Sequence, residues 1–87
     1  MIAYLSGKII IKKEKFIIIE VNSIGYKVFL SHKTLSNLPE NIDTIKLFCF
    51  HNIKEDASDL YGFLTQEELN FFEILNDIRG VGPKAAL

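Results

Sequence analysis

Apolar and polar positions along this chain keep one rhythm up to about residue 63 and another after it. In the first part the apolar residues come in short β-branched runs. Ile2 to Ile11 is apolar-rich, and Phe16-Ile17-Ile18-Ile19-Glu20-Val21 is a compact second run. Lys12-Lys13-Glu14-Lys15 between them reads as a charged, solvated turn. Asn22-Ser23 turns the chain into Ile24 to Leu30, where Ile24, Tyr26, Val28 and Leu30 alternate onto one face. Ser31 to Leu38 is a polar stretch with room for one helical turn, stopped by Pro39. A fourth strand, Ile45 to Ile53, turns through Lys54-Glu55-Asp56 into a last strand, about Ser58 to Phe63. Five or six short strands at this spacing predict a small barrel or sandwich, and closure into a barrel best removes exposed edges.

The period changes at Leu64. Thr65-Gln66-Glu67-Glu68 is a capping box, in which Thr65 caps the helix and Glu68 reaches back from its third position. Leu64 and Leu69 are spaced as the accompanying hydrophobic staple. Phe71, Ile74, Leu75 and Ile78 recur at intervals of three and four, which predicts a packing stripe along the helix. The reading is thus mainly β, with residues 1–63 forming a barrel and residues 64–87 opening a helical domain whose second helix is only begun by Ala85-Ala86-Leu87. The expectation is that the sequence is the N-terminal part of a longer protein.

Straight after that helix comes Gly80-Val81-Gly82-Pro83-Lys84. Two glycines around a small apolar residue allow a tight turn with uncovered backbone N–H groups, and proline suits the first turn of a following helix. Exposed amides at a helix N-terminus beside a lysine make a seat for an oxyanion, above all a phosphate. A P-loop needs four residues between its glycines, and a dinucleotide fingerprint needs a preceding strand, so both are excluded. A helix-hairpin-helix that holds DNA backbone phosphates and an ordinary structural turn both remain open on these residues alone.

Composition narrows the field. Ten basic residues against eleven acidic ones leave a net charge of −1, so a DNA-binding role must rest on a few placed groups. The single cysteine, Cys49, excludes an internal disulfide framework. No apolar run reaches the length of a membrane span, and a soluble, cytoplasmic protein is expected. Cys49 and His51 would share one strand face with Leu47 and Ile53. That setting argues against a catalytic Cys–His pair, and no metal-ligand spacing occurs. The expectation is a protein without catalysis or cofactor. Phe16, Phe29, Phe48, Phe50 and Phe63 are expected to be mostly buried, with Tyr4, Tyr26 and Tyr61 left open. That disfavours the rival reading, a barrel binding single-stranded nucleic acid or protein, because such barrels offer exposed aromatic rings on a basic groove.

Several pieces in order carry a family resemblance: Met1-Ile2-Ala3-Tyr4-Leu5-Ser6-Gly7, Ile24-Gly25-Tyr26, Lys54-Glu55-Asp56-Ala57, Leu60-Tyr61-Gly62-Phe63 and Gly80 to Leu87. Across essentially the whole chain the sequence resembles the N-terminal part of the RuvA family, bacterial proteins that bind Holliday junctions and support branch migration. The resemblance implies a five- to six-stranded OB-fold Greek-key barrel followed by the start of a helix-hairpin-helix domain. It implies a homotetramer on four-way junction DNA, a RuvB motor ATPase engaged through a further C-terminal domain, and a RuvC resolvase as another partner. It places the first DNA phosphate-binding hairpin at Gly80, Val81, Gly82 and Lys84. It makes Glu55 and Asp56 an acidic pin near the junction centre, with Lys54 flanking it. Taken without the resemblance, that acidic turn is an ordinary solvated hairpin tip.

Overall fold

The computed structural model describes residues 1–38, 44–78, 83 and 87. Five strands, β1 (Tyr4–Lys12), β2 (Phe16–Val21), β3 (Ile24–Phe29), β4 (Ile45–Ile53) and β5 (Ser58–Phe63), alternate inward apolar and outward residues. They close into a barrel in the order β1-β2-β3-β5-β4, with β4 returning to β1. All neighbours are antiparallel except β3 and β5, which run parallel through Val28–Leu60 and Phe29–Tyr61. Of the barrel and sandwich that the strand spacing allows, this is the barrel, and it is the OB-fold that the resemblance implies, at the five-strand end of the expected range.

Two local devices make closure possible. The β2–β3 turn places Asn22 and Ser23 at φ of 51° and 69°, the left-handed pair of a two-residue hairpin that matches strand twist. Strand β1 serves two neighbours, pairing with β4 through Tyr4 to Gly7 and with β2 from Lys8 onward, across a bulge between Ile9 and Ile11. Gly7 stands at the handover. A Cβ there would run into the Glu20 carbonyl oxygen and come within 2.8 Å of Val21 Cγ2, so only glycine lets the strands cross so closely.

The barrel interior is Leu5, Ile17, Ile19, Val28, Leu30, Ile45, Leu47, Cys49 and Leu60. The polar stretch after β3 is a short helix, α1 (His32–Asn37), whose Leu35, followed by Leu38, joins this core. Ser31 caps it by accepting from the Thr34 amide at 3.1 Å, and donates to the buried Thr34 hydroxyl at 2.9 Å. Proline 39 lies outside the described residues.

A second apolar layer lies outside the barrel, where α2 (Gln66–Asp77) packs across the β4–β5 wall. Thr65 accepts from the Glu68 amide at 3.1 Å while its hydroxyl donates to Glu68 Oε1 at 3.2 Å. Glu68 thus meets the capping hydroxyl rather than the Thr65 amide. Leu69 is buried, whereas its expected staple partner Leu64 stays exposed. Phe72 is stacked on Tyr61 at 5.7 Å, tilted against Phe63 at 4.9 Å and edge-on to Phe50 at 5.3 Å.

The expected stripe therefore needs correction. Phe71, Ile74 and Ile78 are 62%, 64% and 49% exposed, and the helix docks instead through Leu69 and Phe72. Both faces of α2 are apolar, so periodicity alone could not choose between them. The ring pocket formed by Phe50, Tyr61 and Phe63 does, because it fits Phe72. Phe16, Phe29, Phe48 and Phe50 are half-buried, and Phe63 and Tyr61 are buried. No helix among the described residues is long and apolar enough to cross a membrane.

Candidate nucleic-acid interface

The acidic turn sits at the end of a short arm that leaves the barrel. Tyr4 opposite Phe48 is the last β1–β4 pair, extended by the Cys49 amide donating to the Ala3 carbonyl at 2.8 Å. On the other flank, Val28 opposite Leu60 is the first β3–β5 pair. Beyond these points Asn52 pairs with Asp59 and Ile53 with Ser58, and neither strand has any other neighbour among the described residues. The turn closes through the Lys54 amide, which donates to the Ala57 carbonyl at 2.7 Å.

At the tip Lys54, Glu55, Asp56 and Ala57 are all exposed. Among the described residues neither the Glu55 nor the Asp56 carboxylate has a hydrogen-bond or ion-pair partner within the chain. Two adjacent, fully solvated negative charges on a projecting ribbon make a strong local source of repulsion for any phosphate brought near. Sequence reasoning locates this turn correctly. The arm that carries it follows from where strand pairing stops, which the alternation pattern does not encode.

The second candidate, the hairpin of Gly80, Val81, Gly82 and Lys84, lies outside the described residues. On one side α2 ends with the Ile78 amide donating to the Leu75 carbonyl at 3.1 Å. On the other, the Leu87 amide donates to the Pro83 carbonyl at 3.0 Å, an i to i−4 bond of helical spacing. Leu87 packs back onto the outer aromatic layer beside Tyr61 and Phe72.

Tyr4 and Phe71 are exposed, but the rings of the β2–β3 face do not form an open stacking platform. Phe29 is stacked on Tyr61 at 5.6 Å and meets Phe16 edge-on at 6.1 Å. The Lys27 ammonium lies 4.4 Å from the Phe16 ring centre and 5.2 Å from that of Phe29, a cation–π arrangement that covers the β2–β3 face with the chain's own charge.

Cys49 and His51 do not form a reactive pair. The thiol is buried and points to the Leu47 carbonyl at 3.8 Å, and burial pushes its pKa up to about 11. The two imidazole nitrogens are engaged elsewhere, Nδ1 with the Ile2 amide at 3.1 Å and Nε2 with Ser58 Oγ at 2.8 Å. That His51 bridges two segments has no signal in the sequence.

Charge is divided between two parts of the chain. Residues 1–38, which carry β1 to β3 and α1, hold six lysines against two glutamates. Residues 44–78, which carry β4, β5 and α2, hold two lysines against seven acidic residues. The near-zero net charge therefore conceals an uneven distribution, basic over β1 to α1 and acidic over β4 to α2.

Comparison with known proteins agrees with this architecture. Residues 1–62 match the model of the RuvA N terminal domain. The Holliday junction branch migration complex subunit RuvA of Acetivibrio thermocellus is 46% identical over 87 residues, all of this chain and 43% of that protein. Its counterpart in Ruminiclostridium cellulolyticum is 42% identical over the same span, 44% of that protein. That of Geotalea daltonii is 45% identical over 84 residues, 97% of this chain and 42% of that protein. The chain thus spans less than half the length of these relatives. With the five-stranded barrel, the acidic turn and the match over residues 1–62 in agreement, the chain belongs to the RuvA N-terminal domain family.

Proposed function

We propose that this chain is the barrel and the opening of the helix-hairpin-helix part of a cytoplasmic, non-catalytic subunit that recognises four-way junctions in recombination and repair. The observation that carries the reading is the unpaired Glu55–Asp56 tip on an arm projecting from a closed barrel. It is supported by the relatives' printed role in a Holliday junction branch migration complex. Residues 1–63 are the barrel domain, and residues 64–87 begin the DNA-binding domain.

Attraction and repulsion then act at different places. The hairpin amides at Gly80, Val81 and Gly82, with Lys84, hold backbone phosphates without reading bases. Glu55 and Asp56 repel phosphates at the centre, and Lys54 offers a flanking cation. One carboxylate and one phosphate ~6 Å apart repel by roughly 0.7 kcal/mol at water's dielectric, and by more where solvent is excluded. In a tetramer the two carboxylates of each copy would gather around the four-fold axis where strands cross. There they oppose a continuous duplex laid over the centre and favour an opened crossing.

The divided charge supports such a ring. The basic part exposes Ile10 and Ile11 beside Lys8, Lys12 and Lys13, and α2 exposes Phe71, Ile74 and Ile78 beside Glu67, Glu73 and Asp77. Different, complementary surfaces on one chain suit head-to-tail contacts, which close into rings when the rotation permits. Movement of the junction is assigned to the partner motor ATPase RuvB, and resolution to RuvC, both engaged by the assembled subunit.

A low-salt gel shift on a synthetic four-way junction, with excess linear duplex as competitor, tests the reading. The junction complex should survive the competitor, and loss of complex in proportion to added duplex would contradict it. Lys84→Ala should weaken binding evenly across DNA sequences and lower the salt slope by about one unit per subunit.

A further inference from the structure

The arm that carries the acidic turn has little to fix its direction beyond its half-buried base at Asn52 and Asp59. Its ladder is two residue pairs long, Asn52–Asp59 and Ile53–Ser58, and an isolated two-stranded ribbon is marginal in water. Ile53 is 62% exposed and so supplies little packing. Among the described residues, one side chain hydrogen-bonds this ribbon to the rest of the molecule. His51, at the barrel's exit on β4, takes the Ile2 amide on Nδ1 at 3.1 Å and meets Ser58 Oγ, on the opposite strand, through Nε2 at 2.8 Å.

The chemistry fixes the tautomer. A backbone N–H can only donate, so Nδ1 must be bare. A neutral ring then carries its hydrogen on Nε2 and donates to the Ser58 hydroxyl. Ile2 is anchored in turn, packed against the barrel core. The bridge therefore runs from the core, through Ile2 and the imidazole, to the first residue of β5, two positions from Asp56. It crosses the ribbon diagonally, since His51 stands opposite Leu60 and Ser58 opposite Ile53. A diagonal tie resists twisting and splaying of the two strands, which the ladder bonds alone leave soft.

We propose that His51 is the positioning residue of the acidic turn, its two-sided bridge between Ile2 and Ser58 setting the direction in which Glu55 and Asp56 project. The proposal rests on the pin reading above for its functional consequence, though not for its structural one.

Two measurements separate these. In the ¹⁵N-labelled chain, backbone order parameters at Glu55, Asp56 and Ala57 should sit near ~0.85 and fall toward ~0.6 in His51→Phe and in Ser58→Ala. Ile19 and Val28 should be unmoved, which separates a loosened arm from a loosened fold. His51→Gln, whose amide can both accept and donate, should restore the order. The ring ¹⁵N spectrum should show hydrogen on Nε2 and none on Nδ1. An ordered tip in both His51→Phe and Ser58→Ala, with the barrel amides intact, overturns the proposal.

The second measurement is the ratio of duplex to junction dissociation constants. His51→Phe should lower it by roughly two- to ten-fold, the lower part of the range of coupling between neighbouring groups, and should lower it no further once Glu55→Gln and Asp56→Asn are present. If neutralising the tip leaves the ratio unchanged, the pin reading falls alone and the order parameters still decide for His51.

Discussion

Leu47 and Phe48 of β4 have β1 on one flank, Phe48 and Cys49 have β5 on the other, and the Leu47 and Cys49 side chains join the core. A few residues further along the same strand, Asn52 and Ile53 have β5 alone, and the turn beyond them has only its own closing bond. One hairpin thus contributes a wall of the barrel at one end and a solvated charge carrier at the other. The difference assigns stability to the first and, under the proposed function, recognition to the second. Burial of apolar surface scales with neighbours, whereas an electrostatic tip must keep its charges clear of them.

Substitutions can break that division or sharpen it. Leu47→Ala, at a side chain with no exposure, should cost about 2–5 kcal/mol, measured as a lower midpoint in urea at unchanged slope. Gly62→Ala, on the β5 wall, should cost about 1–3 kcal/mol. Its new Cβ would lie 2.7 Å from Val28 Cγ1 and 2.9 Å from Leu30 Cδ2, inside the packed barrel.

A smaller effect follows from Cys49. Burial raises its thiol from 9.0 to about 11, so the unfolded chain loses this proton first as pH rises. The stability linked to it is complete below pH 9.0 and is lost as pH climbs through about 11. Tyr61, raised by burial and then by the nearby Asp59 charge, adds a decline of the same sign starting from 10.0. Denaturation midpoints across this window should fall, and Cys49→Ala should make the fall shallower. The smallest change in stability belongs to the arm. Glu55→Gln with Asp56→Asn should move the midpoint by less than about 0.5 kcal/mol, because both groups are exposed and unpaired.

The barrel was legible because its signals are local. Alternation at Ile17, Ile19, Val28 and Leu47, the Asn22-Ser23 turn and the Thr65 cap each act within a few residues. The acidic turn was legible as a turn, and its assignment as a pin came from family resemblance. What could not be read depends on tertiary fit. Phe72 rather than Phe71 faces the barrel because Tyr61, Phe63 and Phe50 form a slot for one ring, and Tyr61 itself could not be placed until that slot existed. The His51 bridge joins residues 49 positions apart, beyond the reach of any spacing rule.

The most direct test of the whole account is to neutralise the tip and compare two DNAs. Binding of the Glu55→Gln, Asp56→Asn variant and of the unaltered chain would be measured on linear duplex and on a four-way junction at one salt concentration. Affinity for duplex should rise more than affinity for the junction, so that selectivity falls while stability holds. Equal gains on both DNAs would contradict it, leaving the projecting carboxylates as a general repulsion with no part in recognising the junction.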